Sequence, residues 1–406
     1  MAEGDRLAVP AVGFEEHQWV AEPDGMSSRA ALAAGSGVYR SAVPAKIADL
    51  ALTLPADLAA DVEEAAAALA SFDSYARGAL GPHSGALGPM SSILLRTEST
   101  SSSQIENLTV GARQLAMAEI DQASSANAVV VVGNVRLMEA ALRLADVLDE
   151  DAIRRMQAEL ISRQAGWERH AGVYRDQLVW IGSRSLSPVG ASYVAPQAAL
   201  VADSMADLMA FVDRPDIPVV VQVAIAHAQF ETIHPFADGN GRTGRALVHG
   251  MLKGKGLVTS TTAPVSAGLL HDTRRYFEAL NEYRQGDARP IVERFAEASR
   301  YAAYTGSRLV DALGEQLSLS REKMSGVRPQ ALAWTVLPHL IAQPVVNAQF
   351  LVNALGLSAT ASQRALRTLT DAGVLEERSG KQRNRVWQHR GILNVLDDYA
   401  EQVRRG

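Results

Sequence analysis

Apolar residues recur at three- and four-residue intervals over most of the chain, which is the pattern of amphipathic helices. The clearest helical stretch lies within Lys46–Leu80, a second helical region covers about 92–165, and more helices are predicted over 265–325. The first 45 residues are rich in Ala, Gly, Ser and Pro and have poor periodicity. We therefore expect an irregular N-terminal segment followed by a mainly α fold.

Two segments in the middle of the chain depart from this simple pattern. Residues 172–197 carry β-branched and aromatic residues, glycines and prolines, which predict a loop with a short hairpin. Residues 218–233 contain a valine run that favours a strand, but their length and alanines favour a buried helix, with Pro218 in its first turn. We predict a helix there, and another from about Gly241 to Gly254–Gly256.

The C-terminal part of the chain differs from the rest in both pattern and charge. Residues 347–377 read as helix, a turn at Gly356 and a second helix, and a short basic hairpin is centred on Gly380. Residues 321–406 hold 12 Lys and Arg against 7 Asp and Glu, so this part carries +5 and the remainder −11. A separate C-terminal unit is therefore expected.

Bulk properties narrow the class of protein. With 406 residues, 47% of them apolar, the chain is long enough for two or three domains. Cysteine is absent, so disulfides, thiolate metal sites and thiol nucleophiles are excluded. Neither a leader pattern nor an apolar run of about 18 residues is seen. We expect a soluble, cytoplasmic protein that does not contact a membrane.

Residues 234–245, HPFADGNGRTGR, concentrate the tools of phosphate chemistry in one short segment. Gly239 and Gly241 permit close backbone approach where a helix is about to begin. The free N–H groups of a helix start suit an anion, and the Asn240 side-chain amide adds to that cradle. Arg242 and Arg245 are three residues apart, so both guanidinium groups face one side.

The same segment offers a metal ligand and a base. Asp238 supplies a carboxylate oxygen, and Mg²⁺ beside phosphates takes one or two carboxylates. His234 can accept a proton from an attacking hydroxyl near pH 7. No GxxxxGK[ST] sequence occurs, and the glycine spacing is not that of a dinucleotide fold. The segment therefore predicts phosphoryl-type transfer.

The segment resembles the Fic family signature HPFx[DE]GNGRxxR at all nine fixed positions. Val173–Gly182, YVAP at 193–196 and RRYFEAL at 274–280 also look like family landmarks, so the resemblance covers about 46–305. It implies a Fic-type helical bundle with a small β-hairpin flap. It also implies a protein adenylyltransferase, which transfers AMP from ATP to a Ser, Thr or Tyr hydroxyl of a target protein and uses Mg²⁺.

The resemblance assigns roles to individual residues. His234 would be the catalytic base, Asp238 would hold Mg²⁺, and Arg242 and Arg245 would bind the β- and γ-phosphates. The full set expected at the nucleotide is Asp238, Gly239, Asn240, Gly241, Arg242, Thr243, Gly244, Arg245 and Tyr276. The flap residues Ser192, Tyr193 and Val194 would pair with the target segment.

The resemblance also suggests an adenine pocket, which Tyr276 and Phe277 would border. At a position where some relatives carry an adenine-contacting asparagine, this chain has Arg284. We interpret His227, seven residues before His234, as a packed helix residue.

Residues 102–107, SSQIEN, resemble an inhibitory pattern of the family, [ST]xxxE[GN]. Ser102, Glu106 and Asn107 fit it, and Ser102 and Glu106 would share one helix face. Glu106 placed against Arg245 would occupy the arginine that grips the γ-phosphate. ATP would still bind, but with its α-phosphate badly aligned, so we predict an autoinhibited enzyme.

The C-terminal unit resembles the winged-helix domains of many Fic proteins. It could contact DNA, another protein or a second copy of the chain. The candidate recognition and wing residues are Ser362, Gln363, Arg364, Arg367, Arg378, Lys381, Arg383 and Arg385.

Pattern and resemblance together predict an order of five segments. These are an irregular segment at 1–45, a helical region with the inhibitory helix at 46–125, the Fic core at 126–305, a linker helix at 306–327 and a winged helix-turn-helix at 328–406.

Three other functions stay open from the sequence. A Fic core could use another donor (UMP, phosphocholine or phosphate), or it could remove AMP from a modified target. A DNA-binding regulator could use the core as a nucleotide sensor.

Overall fold

A computed structural model describes residues 6–22, 28–79, 87–122, 125–162, 164, 166–182, 187–378 and 385–405. The helices, α1 to α17 in chain order, are Arg29–Gly35, Ala56–Gly78, Leu87–Ile105, Ala112–Glu119, Ala126–Arg143, Glu150–Ile161, Val201–Asp213, Val219–Ile233, Asn240–Gly254, Val265–His271, Thr273–Arg284, Arg289–Lys323, Ala333–Val336, His339–Ala342, Ala348–Leu355, Ala359–Asp371 and Arg390–Arg405. The mainly α fold predicted from the sequence is confirmed.

Within the described part of the chain, seven short strands form three small antiparallel sheets. The strands, β1 to β7, are Gly13–Trp19, Gly37–Val43, Trp180–Ile181, Tyr193–Val194, Val345–Val346, Glu376–Glu377 and Trp387–Gln388. β1 pairs with β2, β3 pairs with β4, and the third sheet has the order β5-β7-β6. The β3–β4 pair confirms the hairpin predicted within 172–197.

The prediction of an irregular segment over the first 45 residues is wrong. β1 and β2 pair along seven residues each, from Gly13 opposite Val43 to Trp19 opposite Gly37, and α1 lies between them in the chain. β1 has polar residues on both faces and is mostly exposed, so it lacks the alternation that marks a half-buried strand. Helix α2 also begins later than predicted, at Ala56, directly after Pro55.

The described residues fall into two compact units. The first comprises residues within 1–63, 140–255 and 274–296. At its centre lies α8, in which every residue from Val220 to Ile233 is buried. Gln222 on α8 donates from Nε2 to the carbonyls of Phe211, Val212 and Arg214, at the end of α7. The helix predicted for this segment is confirmed, and its valines suit full burial.

The second unit comprises residues within 64–139, 256–273 and 297–406. Its C-terminal part has two helices separated by a turn, since α15 ends at Gly356 in the left-handed conformation with φ 64° and Ser358 caps α16. Ser358 accepts a hydrogen bond at Oγ from the Ala361 N–H. The predicted helix-turn-helix pattern is therefore present at the level of local structure.

One predicted recognition residue on α16 faces inward. Ser362 is fully buried, so its hydroxyl does not reach a partner outside the unit. Gln363, Arg364 and Arg367 are exposed. At the predicted wing, Arg378 is exposed and Arg385 pairs with Glu377, whereas Lys381 and Arg383 lie outside the described residues. DNA contact stays a prediction.

Within the described ranges, none of the helices combines the length and apolarity needed to cross a bilayer.

Candidate active site

The HPFADGNGRTGR segment connects the two central helices of the first unit. His234 ends α8 in the left-handed conformation, with φ 51° and ψ 59°, and its N–H donates to the Phe230 carbonyl at 2.9 Å. A left-handed histidine is uncommon, and such strain is typical of functional sites. Its side chain is partly exposed, and Nδ1 lies 3.8 Å from Glu231 Oε2. The structure therefore presents His234 at a fixed turn.

Arg175 holds that turn in place, a role that no sequence pattern indicated. Its backbone N–H donates to the Pro235 carbonyl at 2.9 Å, and Nε donates to the His234 carbonyl at 2.8 Å. Nη2 donates to the Pro196 carbonyl at 2.7 Å, just beyond β4. Burial lowers the pKa of Arg175 to about 10, so the guanidinium stays charged at neutral pH. One buried arginine thus ties His234 to the chain that leaves the β3–β4 hairpin.

Asn240 stabilises the loop instead of extending its side chain toward a ligand. Its Oδ1 accepts from the Phe236 N–H, and its Nδ2 donates to the Phe236 carbonyl, both at 2.8 Å. The predicted contribution of this amide to an anion cradle is therefore revised. Asn240 closes the five-residue loop Phe236–Asn240, which sets the start of α9.

A second brace comes from α6. Gln157 is fully buried, donates from Nε2 to the Asp238 carbonyl at 3.3 Å, and accepts at Oε1 from the Gly172 N–H at 2.6 Å. Its amide thereby links the motif loop to the chain that leads toward Arg175.

Two motif glycines are required by close packing. Gly239 has φ 80°, and a Cβ there would lie 2.5 Å from Leu160 Cδ2, on the fully buried inner face of α6. Gly244 lies against α8, where a Cβ would be 3.0 Å from Phe230 Cδ1 and 3.2 Å from His227 Nδ1. These contacts bring α6, α8 and α9 together around the loop.

Gly239→Ala is expected to lower the free energy of unfolding of the first unit by about 2–4 kcal/mol, from backbone strain and overpacking together. Denaturant titration followed by circular dichroism measures this. Gly190→Ala is the matched control, because Gly190 has φ 77° but no atom lies within 4 Å of the place that a Cβ would take. A Gly239 variant no less stable than the Gly190 variant would contradict the packing argument.

The start of α9 gathers the charged motif residues. Gly239 precedes the helix and has no side chain to cap it, so the first-turn N–H groups point out of the helix end. Arg242 and Arg245 are each only 3% exposed. Arg242 Nη2 lies 3.5 Å from Asp238 Oδ2, whose side chain is 40% exposed. Two buried cations and a helix N-terminus make this end of α9 strongly suited to polyanions.

Asp238 also fits a divalent cation. Among the described residues, no group of three or more His, Asp and Glu side chains converges as a metal site. An accessible carboxylate beside an anion cradle nevertheless matches Mg²⁺, which is usually held by one or two carboxylates, phosphate oxygens and water. The donor set therefore fits a cation delivered together with phosphates.

Tyr276, predicted to border the adenine, is buried in this structure, and its contact with a nucleotide stays a prediction. It is 1% exposed, and its hydroxyl lies 2.7 Å from His227 Nε2. Burial, together with the nearby positive charge of Arg245, lowers the pKa of His227 to about 3, so His227 is neutral. Its interpretation as a packed helix residue agrees with this environment. Phe277, the next residue, is 48% exposed.

The predicted flap is anchored by Tyr193. Its hydroxyl donates to the Thr232 carbonyl at 2.5 Å, two residues before His234. Arg284 lies over its ring at 3.8 Å and donates to the Glu231 carbonyl. Arg284 therefore packs on the flap in this structure. Tyr193 and Val194 are buried, and Ser192 is exposed.

The β1–β2 hairpin, missed from the sequence, packs on the same flap. Trp19 meets Trp180 edge to face, with ring centroids 5.7 Å apart. Val12 and Ala42 form an apolar cluster with Tyr193 and Ala195. A groove beside this contact is lined by residues of the hairpin, the flap and α11, among them Phe14, Val38, Arg40, Ser192 and Arg284.

The predicted inhibitory residues lie in the second unit, at the end of α3. The helix ends at Ile105, so Glu106 is the first residue beyond it and does not extend the helix face of Ser102, which is fully buried. Asn107 has φ 63°, and its N–H donates to the Gln104 carbonyl. A residue that ends a helix in the left-handed conformation is usually Gly or Asn. This explains why the last position of the pattern, [GN], is occupied by one of these two residues. Glu106 is half-buried.

Taken together, the first unit is a helical domain with a two-stranded flap and a glycine-rich motif loop between its two central helices. Residues 147–252 match the model of the Fic/DOC family. Among solved structures, the crystal structure of a Fic family protein from Desulfovibrio desulfuricans G20 is similar, with 24% identity and a TM-score of 0.50. The similarity covers 83% of this chain and 97% of that one, and it supports the fold.

Two named relatives are similar over shorter stretches. The chain is 33% identical over 130 residues to protein adenylyltransferase fic-1 of Caenorhabditis briggsae, covering 32% of this chain and 23% of that protein. It is 34% identical over 95 residues to protein adenylyltransferase Fic of Nematostella vectensis, covering 23% and 21%. The chain thus spans less than a quarter of these relatives' length.

Proposed function

We propose that the protein is an adenylyltransferase that moves AMP from ATP to a Ser, Thr or Tyr hydroxyl of a target protein. The observation that supports this best is the α8–α9 connection. It fixes His234 in a strained turn and, six residues later, begins a helix with an open N-terminus and two buried arginines. A base beside a triphosphate cradle suits attack on a phosphorus atom. The names of the two relatives agree with this activity.

His234 serves as the base in this proposal. The target hydroxyl gives its proton to Nε2 as its oxygen bonds to the α-phosphorus of ATP, and the bond to the bridging oxygen breaks to release pyrophosphate. Nδ1 lies toward the Glu231 carboxylate, which favours the imidazolium that forms. Arg175 keeps the turn rigid through the His234 carbonyl, so the ring does not need to be reoriented at the moment of transfer.

The start of α9 binds the phosphates. Its N–H groups and Arg242 hold the β-phosphate, and Arg245 holds the γ-phosphate. Asp238 would hold a Mg²⁺ ion, which would supply positive charge next to the phosphates. The pyrophosphate is thereby stabilised as it leaves.

The groove beside the flap suits the target segment. Phe14 and Val38 on its wall are 51% and 58% exposed, and the Arg40 guanidinium lies over the Phe14 ring at 4.7 Å. An extended peptide could pair with the flap near Ser192 and place a side chain against this wall. The missed hairpin would then contribute to the choice of target.

Glu106 restrains the enzyme by competing with the γ-phosphate for Arg245. A carboxylate at the C-terminal end of a helix is disfavoured by about 0.3–1 kcal/mol, a cost that a cationic partner would offset. The left-handed cap at Asn107 fixes where the Glu106 side chain emerges.

The transferred group identifies the reaction. In the Glu106→Gly variant with Mg²⁺, ATP labelled at the α-phosphate or in the adenine is expected to label the protein or an added lysate, and ATP labelled at the γ-phosphate is not. Label from the γ-phosphate alone would show kinase activity, and no label from any position would contradict nucleotidyl transfer.

A further inference from the structure

The carbonyl groups in the last turn of α8, which leads to His234, are bound by side chains from outside the helix. A helix end leaves its last carbonyls without partners inside the helix. Tyr193 on β4 donates from its hydroxyl to the Thr232 carbonyl at 2.5 Å. Arg284 on α11 donates from Nη2 to the Glu231 carbonyl at 3.3 Å. The end of α8 is therefore tied both to the flap and to α11.

Arg175 extends this set of bonds to the base itself. Its Nη2 donates to the Ile233 carbonyl at 3.4 Å, and its Nε donates to the His234 carbonyl at 2.8 Å. The carbonyls of residues 231–234 thus all have partners from outside α8. Cationic groups at this end of a helix also suit the negative end of its dipole. The three side chains that bind these carbonyls form what we call the α8 clamp: Arg175, Tyr193 and Arg284.

Tyr193 connects the α8 clamp to the strand on which the target segment is expected to lie. Its side chain is buried, and the Arg284 guanidinium covers its ring at 3.8 Å. Burial raises the pKa of Tyr193 to about 12, so the hydroxyl keeps its proton at neutral pH and can donate it to a carbonyl. Replacement by phenylalanine would remove this donor and leave the packed ring in place.

We propose that Tyr193 is a positioning residue, whose hydroxyl holds the last turn of α8 so that the His234 imidazole stays where it accepts the proton of the target hydroxyl. His234 has φ 51°, a strained conformation that persists only where the surrounding structure enforces it. The bond to the Thr232 carbonyl, two residues earlier, supplies part of that enforcement. The flap then has two roles, since its backbone receives the target and its tyrosine places the base.

This inference rests on the proposed function, because it needs His234 to be the base. Tyr193→Phe in the Glu106→Gly background is expected to lower the initial rate of auto-modification at saturating α-labelled ATP by about 10-fold, a part of the ~10²-fold penalty for a misplacement of about an ångström. The KM for ATP should not change, because the phosphates are bound at the start of α9 and not at the end of α8.

Tyr283→Phe is the matched control. Tyr283 is also buried, and its hydroxyl donates to Gln229 Oε1 on α8 at 2.8 Å, so this variant loses a buried hydrogen bond to the same helix but away from its last turn. It should keep the rate of the Glu106→Gly protein. Equal rates for the Tyr193 and Tyr283 variants would overturn the proposal.

A double-mutant cycle shows whether the Tyr193 hydroxyl acts through His234. In a protein that also carries His234→Ala, Tyr193→Phe should cause no further loss of the residual rate, because no base is left to position. The same loss with and without His234 would show that Tyr193 acts only on target docking or on folding, and it would overturn the proposal.

Hydrogen exchange followed by mass spectrometry gives a readout that does not depend on activity. Tyr193→Phe should speed amide exchange over residues 231–236, and Tyr283→Phe should not, because only the first change frees the last turn of α8. Equal exchange in the two variants would contradict the role of the hydroxyl. If the Glu106→Gly protein with Tyr193 intact transfers no AMP, the proposed function is wrong, and the exchange comparison alone then decides whether Tyr193 holds the turn.

Discussion

His234→Ala, introduced into the Glu106→Gly background, is expected to lower AMP transfer by about 10²–10⁴-fold, the usual contribution of a positioned general base. Without an acceptor for its proton, the target hydroxyl attacks as a poor nucleophile. The change removes a partly exposed side chain, so stability should be nearly unaffected. The initial rate of α-label incorporation is the measurement.

Measuring ATP binding distinguishes a loss of AMP transfer from a loss of folding or of nucleotide binding. Calorimetry should give the same ATP affinity with and without His234, because the arginines and the start of α9 stay in place. His170→Ala, at a partly exposed histidine of the same unit, is the matched control and should keep its rate. A His234 variant that retains more than half of the rate would exclude this residue as the base.

The site was predictable where its residues are contiguous in sequence. His234, Asp238, Arg242 and Arg245 lie within twelve positions, so their proximity in space could be predicted from spacing alone. Arg175 lies 59 positions before His234, and its role depends on carbonyl groups that only the folded chain brings to it. Spacing carries no information about such contacts.

Adjacent residues on one helix show a second limit. Tyr276 and Phe277 are neighbours on α11, so helical geometry turns them in different directions by about 100°. The sequence could not say which of them faces the core, because that depends on where α11 packs. In the structure Tyr276 faces the core, where its hydroxyl lies 2.7 Å from His227 Nε2. Ser362 on α16 was misassigned for the same reason.

The N-terminal hairpin was missed because its stability comes from pairing and not from a local pattern. β1, GFEEHQW, has no regular alternation of polar and apolar residues. Its pairing with residues 37–43 cannot be predicted from the sequence of β1 alone. Strand propensity depends strongly on such context. Helix α8 was predicted from the length and the alanines of its segment, although its valine run alone favours a strand.

Glu106→Gly is expected to raise AMP transfer by on the order of 10²-fold, the penalty that a misplacement of about an ångström imposes on a reacting group. The glycine cannot compete for Arg245, so the γ-phosphate takes that guanidinium and the α-phosphate becomes aligned for attack. Auto-modification with α-labelled ATP and Mg²⁺ measures the gain. Equal rates for wild type and variant would exclude the inhibitory role of Glu106.

A glycine at position 106 also loosens the end of α3. The effect of losing the carboxylate must therefore be distinguished from the effect of a looser helix end. Asn107→Gly keeps the left-handed cap, since glycine adopts φ near 63° without strain, and it should leave transfer at the wild-type level. Glu106→Gln keeps the size of the side chain and removes its charge, so it should be activated nearly as much as Glu106→Gly. Activation of the Asn107 variant would assign the effect to a frayed helix end, whereas activation of both Glu106 variants alone assigns it to the negative charge that competes with phosphate.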